Sequence, residues 1–443
     1  MKPLLKKIVL TGLLTFAFVT LIRGHFYAQV NTGTIDLTGG RRVPIAIAPL
    51  RNLGSVDDSR GVGEGVADAI ANDMRLSGWF RVLDRSAYIE GSQSGITADT
   101  INFKNWTTIN AESLVKGGFS LQGDDLTVEL RLFDVYQGKQ LVGKRYSGKV
   151  RDFRRIAHRF SDEIINQFTG TPGPFNTRIA YVSNGGGGLK EVYFSHLDGT
   201  DKFQVTTNKS INLSPAWSPD GRMLLYTSYG AGQRSLYLYD LTTGRHTPIG
   251  EQNGSSIGGR WSPDGQRVAV SFERGGNTDV YILDRGGRTI RRLTEDRGID
   301  VSPSWSPDGN RLAFVSNRSG NPQIYLLDVA TGNARRLTFS GSYNTSPDWS
   351  PKGDKIAYTG RVSGRFQIFT IPAQGGEPQQ LTSGSGDNED PSWAPDSRFI
   401  AFSSNRGGGR YHLYMMRDTG ENQQRLTASG GDDTNPSWSP RLE

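Results

Sequence analysis

From residue 217 onward the apolar positions fall into short runs that return with one period. A first run covers residues 223–226, 268–270, 312–315, 356–358 and 399–402. A second, centred on Tyr or Phe, covers 236–239, 280–283, 324–327, 368–371 and 413–416. Glycine turns follow at Gly244, Gly287, Gly332 and Gly376, and a third run closes on Leu-Thr at 293–294, 337–338, 381–382 and 426–427. Ahead of each first run stands Trp-Ser-Pro-Asp-Gly, at 217–221, 261–265 and 305–309, with variants at 349–353, 393–397 and 438–440. Every run is too short and too rich in β-branched and aromatic residues for a helix, so each predicts a strand. The Trp segment is itself a strand, and Ser-Pro-Asp-Gly is its turn. Pro pre-sets φ at the second turn position, Asp tolerates the third, and Gly closes it.

The Trp motifs are spaced 44, 44, 44, 44 and 45 residues apart and hold six of the eight tryptophans. Four strands of about six residues with four connections of about five fill roughly such a unit. A period of this length with four strands is the signature of a β-propeller. The ends of the repeat set the blade count. Residues 178–182 look like the strand that follows a Trp motif, yet no such motif precedes them. Residues 438–440 are a Trp motif with almost nothing after it. The two pieces complement each other. The expected fold is mainly β: a six-bladed β-propeller over 178–443, closed by its C-terminal strand, which removes exposed sheet edges.

Upstream the pattern changes. Residues 43–50 read as a buried strand, 62–76 as an amphipathic helix stopped by Gly78, and 80–83 as a strand. Residues 126–135 alternate and return through Gly138 along 140–146 as a hairpin. Apolar positions at Phe153, Ile156, Ala157, Phe160, Ile164 and Phe168 predict a second helix over 152–168, with its arginines and His158 on a solvated outer face. These elements make a small α/β domain over 40–168, joined to the propeller by a Pro- and Gly-rich linker over 169–177. Residues 1–28 open with Lys2, Lys6 and Lys7 and then run uncharged from Ile8 to Ile22. That run is short for a membrane span, which needs about 20 apolar residues. It reads as an export signal ending near Ala28, with an uncleaved anchor as the alternative, and either way the rest of the chain lies outside the cytoplasm.

The net charge is +7, but residues 1–28 carry four cations and no acid, and without them it falls to +3. With no basic stripe or binding motif, nucleic acid is excluded as a partner. There is no Cys, which rules out disulfides, Cys-bound zinc and a thiol nucleophile. The five histidines, His25, His158, His196, His246 and His412, have no metal-ligand spacing. Gly254-Ser-Ser-Ile-Gly258 has the form of a nucleophile elbow but sits in a loop before a Trp strand, where no helix follows. Gly61, Gly63 and Gly65 are better read as a loop before a helix than as a dinucleotide loop. The motif acids Asp220, Asp264, Asp308 and Asp396 are explained by turn chemistry. No catalytic residue is assigned, and the chain is expected not to be an enzyme.

One ring of polar residues remains. Five positions before each Trp stand Asn212, Ser256, Asp300, Asn344, Asn388 and Asp433, beside Ser255, Ile257, Val301, Thr345, Glu389 and Thr434. In a propeller they are expected at one mouth of the central channel. There they could accept hydrogen bonds from a partner. The subset Asn212, Asp300, Asn344, Asn388 and Asp433 could hold a cation such as calcium through oxygen ligands. Strand order puts the Ser-Pro-Asp-Gly turns on one face and the loops before the Trp strands on the other. The linker enters on the turn face, which leaves the opposite mouth open.

This combination resembles the TolB family. Residues 72–84, Asn-Asp-Met-Arg-Leu-Ser-Gly-Trp-Phe-Arg-Val-Leu-Asp, look like that family's N-domain helix and strand. Residues 177–182 look like its first propeller strand, and 438–442 like its terminus. The resemblance implies a non-enzymatic periplasmic component of the Tol-Pal system. Such a protein would bind the peptidoglycan-associated lipoprotein Pal at the propeller mouth and support outer-membrane integrity and cell division. Carried onto this chain, the Pal-facing surface is the loops before the Trp strands, notably 255–259 and 300–302. The family also reaches a TolA protein through a β-rich segment after the signal. Here that stretch is residues 29–36, Gln-Val-Asn-Thr-Gly-Thr-Ile-Asp, which alternates little. The alternatives are a propeller-type peptidase, which would need an added hydrolase domain, and a carbohydrate- or ion-binding propeller.

Overall fold

The computed structural model describes residues 41–91, 93–230, 232–250 and 255–442. The expected export signal over 1–28, His25 and the stretch 29–36 lie outside the described residues. Among the described residues no helix is long and apolar enough to cross a membrane.

The N-terminal region runs β1 (Val43–Ile47), β2 (Arg51–Asn52), α1 (Val62–Ser77), β3 (Phe80–Val82), α2 (Phe103–Thr108), β4 (Ser113–Gln122), β5 (Asp125–Asp134), β6 (Lys139–Lys149) and α3 (Phe153–Thr169). One mixed sheet is ordered β3-β1-β4-β5-β6, with β2 beside β4. Helix α1 forms because Val66, Ile70 and Met74 recur on one face and are fully buried. Its first turn is held by Asp58, whose carboxylate accepts from the Val62 and Gly63 amides at 2.8 and 2.9 Å. It stops at Gly78, which adopts φ 73 and donates to the Arg75 carbonyl. α3 follows the same rule: Ile156, Phe160 and Ile164 are buried, and the helix lies beside α1, with its Phe153 ring against Gly65. The sequence reading had no β4. Lys116, Gly117 and Gly118 interrupt its apolar pattern, yet it is the central strand. A Cβ on Gly117 would sit 2.2 Å from the Glu129 carbonyl oxygen, so the close strand approach requires glycine. Lys116 is buried in an ion pair with Glu90 at 2.9 Å.

From Arg178 on, six four-stranded antiparallel sheets follow one another. Blade 1 is composite. The strand Asp433–Trp438 pairs with Arg178–Ser183, Trp438 opposite Ile179, and Glu191–His196 and Phe203–Gln204 complete the sheet. The innermost strands of blades 2 to 6 are Asn212–Trp217, Ser255–Trp261, Asp300–Trp305, Asn344–Trp349 and Asn388–Trp393. Each Trp lies between two blades. Trp349, for example, packs on Ala313, Ile324 and Leu337 of blade 4 and on Ile356 and Tyr358 of its own blade. The indole N–H of Trp305 donates to the Arg260 carbonyl and that of Trp393 to the Asp348 carbonyl, both at 3.0 Å, tying neighbouring inner strands.

The N-terminal region docks on the turn face at two places. On blade 6, Trp79 meets Phe399 edge-on at 5.3 Å and lies between the guanidinium groups of Arg398 and Arg417, at 5.3 and 5.5 Å. Asn422 donates to the Leu76 carbonyl that ends α1, at 2.8 Å, and Arg398 and Arg441 bond the Pro172 carbonyl. On blade 1, α3 meets the turn that holds Asp198. The linker is fastened by Asp162, which accepts from the Phe175 and Asn176 amides at 2.7 and 3.1 Å.

Candidate functional site: the open propeller mouth

Each inner strand breaks register two to three residues before its Trp, between Leu213 and Ala216, Ile257 and Gly259, Val301 and Ser304, Thr345 and Asp348, Glu389 and Ser392, and Thr434 and Ser437. The cause is readable in the residues. Pro215, Pro303, Pro347, Pro391 and Pro436 have no amide to give the ladder. The residue before each bulges into left-handed backbone: Ser214 (φ 53), Ser302 (55), Ser346 (49), Asp390 (55) and Asn435 (50), with Gly258 (60) in the sixth position. For a residue with a Cβ that conformation costs roughly 1–2 kcal/mol. A bulge re-aims side chains, and here it aims five at the channel axis, with the Gly258 backbone in the sixth place. Together with the prolines and Ile257, Gly259 and Arg260 they line a polar cavity of about 90 Å³. The bulges are held from the preceding blade. The amides of Gly258, Ser302 and Asp390 donate to the hydroxyls of Thr227, Ser271 and Thr359 at 3.0 to 3.1 Å.

Two charged groups face this cavity. Asp390 accepts from the Ser346 hydroxyl at 2.9 Å and from the Asn435 amide at 2.6 Å, and burial raises its carboxyl above the usual range. Arg260 is the one cation among the lining residues. Behind them, burial pushes Asp348 up to about 6, against the pull of Arg260. Its carboxylate accepts from the Trp393 amide at 2.7 Å, so it ties blade 5 to blade 6.

The ring expected from the sequence is not this one. Asn212, Ser256, Asp300, Asn344, Asn388 and Asp433 are all buried, in the clefts between blades rather than on the channel. Asn344 donates to Gln323 and to the Ser340 carbonyl at 2.8 and 2.9 Å, and Thr338 donates to the same Gln323 oxygen. Asn388 with Gln367 and Asn212 with Glu191 repeat the arrangement. Asp300 is bound by Arg318 at 2.8 Å, and Asp433 accepts from Ser429. The five proposed cation ligands, Asn212, Asp300, Asn344, Asn388 and Asp433, therefore do not converge. Their donor set does not fit a single calcium ion. Among the described residues no group of three or more His, Asp or Glu could hold a metal. Of the neighbours, Ile257 does reach the channel. Val301 packs against the core between blades 4 and 5, and Glu389 is held by the Tyr411 hydroxyl at 2.6 Å. Ser255, Thr345 and Thr434 are half-buried on the strands. The true lining was missed, although its signal was present: a Pro two residues before the Trp in five of six repeats.

Around this opening the loops present apolar side chains. Leu189, Ile211, Tyr229, Ile299, Phe339, Tyr343 and Val362 are all exposed, Ile299 by 52% and Phe339 by 75%. They are seven of the thirteen large apolar side chains exposed among the described residues, so exposure concentrates on this face. They belong to blades 1 to 5. Blade 6 is polar here, with Arg406 stacked on Phe402 and Tyr414.

Elsewhere the sequence candidates are structural. The hydroxyls of Ser218, Ser262 and Ser306 donate to Asp220, Asp264 and Asp308, which also accept the amide two residues on. Asp396 differs: it is buried, is paired with Arg398 at 3.0 Å, and is raised by burial. His246 bonds the Tyr226 hydroxyl at 2.9 Å. His158 was expected on a solvated face and is instead fully buried at the domain junction.

A closed six-bladed propeller of Trp-Ser-Pro-Asp-Gly repeats, carried on an α/β domain and open at a strained, apolar-rimmed mouth, defines the class of two-part propeller proteins to which this chain belongs. The profile described as the TolB beta propeller domain matches residues 165–442, and that described as the TolB amino-terminal domain matches 33–141. The chain belongs to the TolB family. The Tol-Pal system protein TolB of Desulfosudis oleivorans is 40% identical over 242 residues, 54% of this chain and 55% of that protein. That of Geobacter sulfurreducens is 43% identical over 216 residues, 49% of each. The chain thus spans about half the length of the curated relatives it matches. The crystal structure of TolB from Acinetobacter baumannii superposes with a TM-score of 0.80 at 29% identity, covering 90% of this chain and 97% of that one.

Proposed function

We propose that this protein is a periplasmic, non-enzymatic binding component of a Tol-Pal complex that docks a Pal-like peptidoglycan-associated lipoprotein at the open propeller mouth. The observation that carries the reading is the apolar rim of Leu189, Ile211, Tyr229, Ile299, Phe339, Tyr343 and Val362 around the strained channel ring, on the face the N-terminal region does not use. Apolar and aromatic side chains around a polar, pre-formed centre are what a protein interface needs. Support for outer-membrane integrity and cell division follows from membership of such a complex.

Calorimetry with the periplasmic domain of the lipoprotein tests this. Replacing both Ile299 and Tyr343 by Asp is expected to weaken binding at least tenfold, about 1.4 kcal/mol, with the unfolding midpoint unchanged. Full affinity in the double variant would remove the mouth as the site. A crosslinking pull-down from native envelopes that recovers no such lipoprotein would remove the partner.

A further inference from the structure

Helix α3 carries an imidazole into the dry seam between the two parts of the molecule. The His158 and Asp73 side chains have no exposure, and Asp198 has 4%. His158 Nδ1 lies 2.8 Å from Asp73 Oδ2 of α1, and its Nε2 lies 3.7 Å from Asp198 Oδ2, in the turn after the blade 1 strand Glu191–His196. Asp198 is oriented by Arg154 of α3 at 3.2 Å and by the Thr200 amide at 3.0 Å. The His196 ring stands 5.4 Å from the His158 ring and faces Asp201 at 3.3 Å. Arg178 and Asp162 complete the charged surroundings.

A neutral imidazole has one N–H, whereas an imidazolium has two and a charge. Only the protonated ring can attract Asp73 on one side and Asp198 on the other. We propose that His158 is a proton-operated latch that fastens the N-terminal domain to blade 1. The second seam has no such dependence. At blade 6 it rests on Arg398, Arg417 and Arg441, which stay charged, and on Asn422. Loss of the His158 proton would leave the Arg154–Asp198 pair, at 3.2 Å, as the tie that remains there, loosening one seam while the other acts as a pivot, so the domains turn rather than part.

The direction of titration follows. Burial opposes the His158 charge, but Asp73 and then Asp198 more than offset it and raise the group to about 9. A raised value means the contribution is complete below the ordinary imidazole value of 6.5 and is lost as pH rises through about 9. Burial pushes Asp162 up to about 7, so its proton leaves earlier and its charge then favours the imidazolium. Burial and His158 together lower His196, which stays neutral through this window.

The chain has no Cys, so two can be introduced for spectroscopic labels, at Tyr136 in the N-terminal domain and Ile290 on blade 3, both exposed. The interlabel distance is expected to hold from pH 6 to 8 and to change between 8 and 10. Asp198→Asn should move the midpoint down, and His158→Gln should abolish the transition. A distance that does not change from pH 6 to 10, or the same midpoint in His158→Gln, would overturn the latch. Should that variant fail to fold, imidazole NMR of the unsubstituted chain decides. A His158 titration near 9 supports the latch, and one below 7 overturns it.

Discussion

Asn344 works within the seam between blades 4 and 5. Its amide satisfies the buried Gln323 oxygen and also reaches the carbonyl of the exposed Ser340. Asn344→Ala removes one of the two donors to the buried Gln323 oxygen and should cost about 0.5–1.5 kcal/mol, the net worth of a hydrogen bond. Urea unfolding measures this, and lipoprotein affinity should change less than twofold. A tenfold loss of affinity at unchanged stability would return Asn344 to the mouth. The position was misread because it was placed only by its distance from Trp349, at the start of the inner strand, and not by the strand's phase. The bulge at Ser346 and Pro347 shifts that phase, turning Asn344 into the cleft and Ser346 to the channel. His158 was misread for another reason. One stripe on α3 accounts for packing on α1 and the sheet, but the propeller covers a second side that no local pattern announces.

Among the elements, those with a strong period were legible. α1 and α3 stand within a residue or two of the expected 62–76 and 152–168, because each carries an apolar stripe and a Gly stop. The propeller strands were legible because the Trp motif marks each blade. β4 was not, since its two glycines serve a close strand contact rather than a pattern. The loop after α1 is where the element reading becomes testable. Trp79 fills the seam on blade 6 between two guanidinium groups. Trp79→Ala should cost about 3–5 kcal/mol, as large buried aromatics do. It should also expose the linker 169–177 to protease while the isolated propeller transition persists. Unchanged linker protection would show that the seam does not depend on this ring.

At the scale of the molecule, closure and the open mouth are one design. The strand Asp433–Trp438 completes blade 1, and the Trp438 indole donates to Thr177 at 2.8 Å where the linker enters. Deleting residues 433–443 opens the ring, exposes two sheet edges and should abolish the cooperative unfolding of the propeller. A single sharp transition in the truncated chain would refute closure. With the turn face occupied by the N-terminal region, the strained ring and its apolar rim stay uncovered among the described residues, and the proposed function assigns them to a partner. Hydrogen exchange of the full chain with and without the lipoprotein domain tests this most directly. Protection is expected in the mouth loops at 206–211, 295–302 and 339–346, with none at the turns 218–222, 262–266 and 306–310. Protection of those turns with the mouth loops unchanged would contradict it.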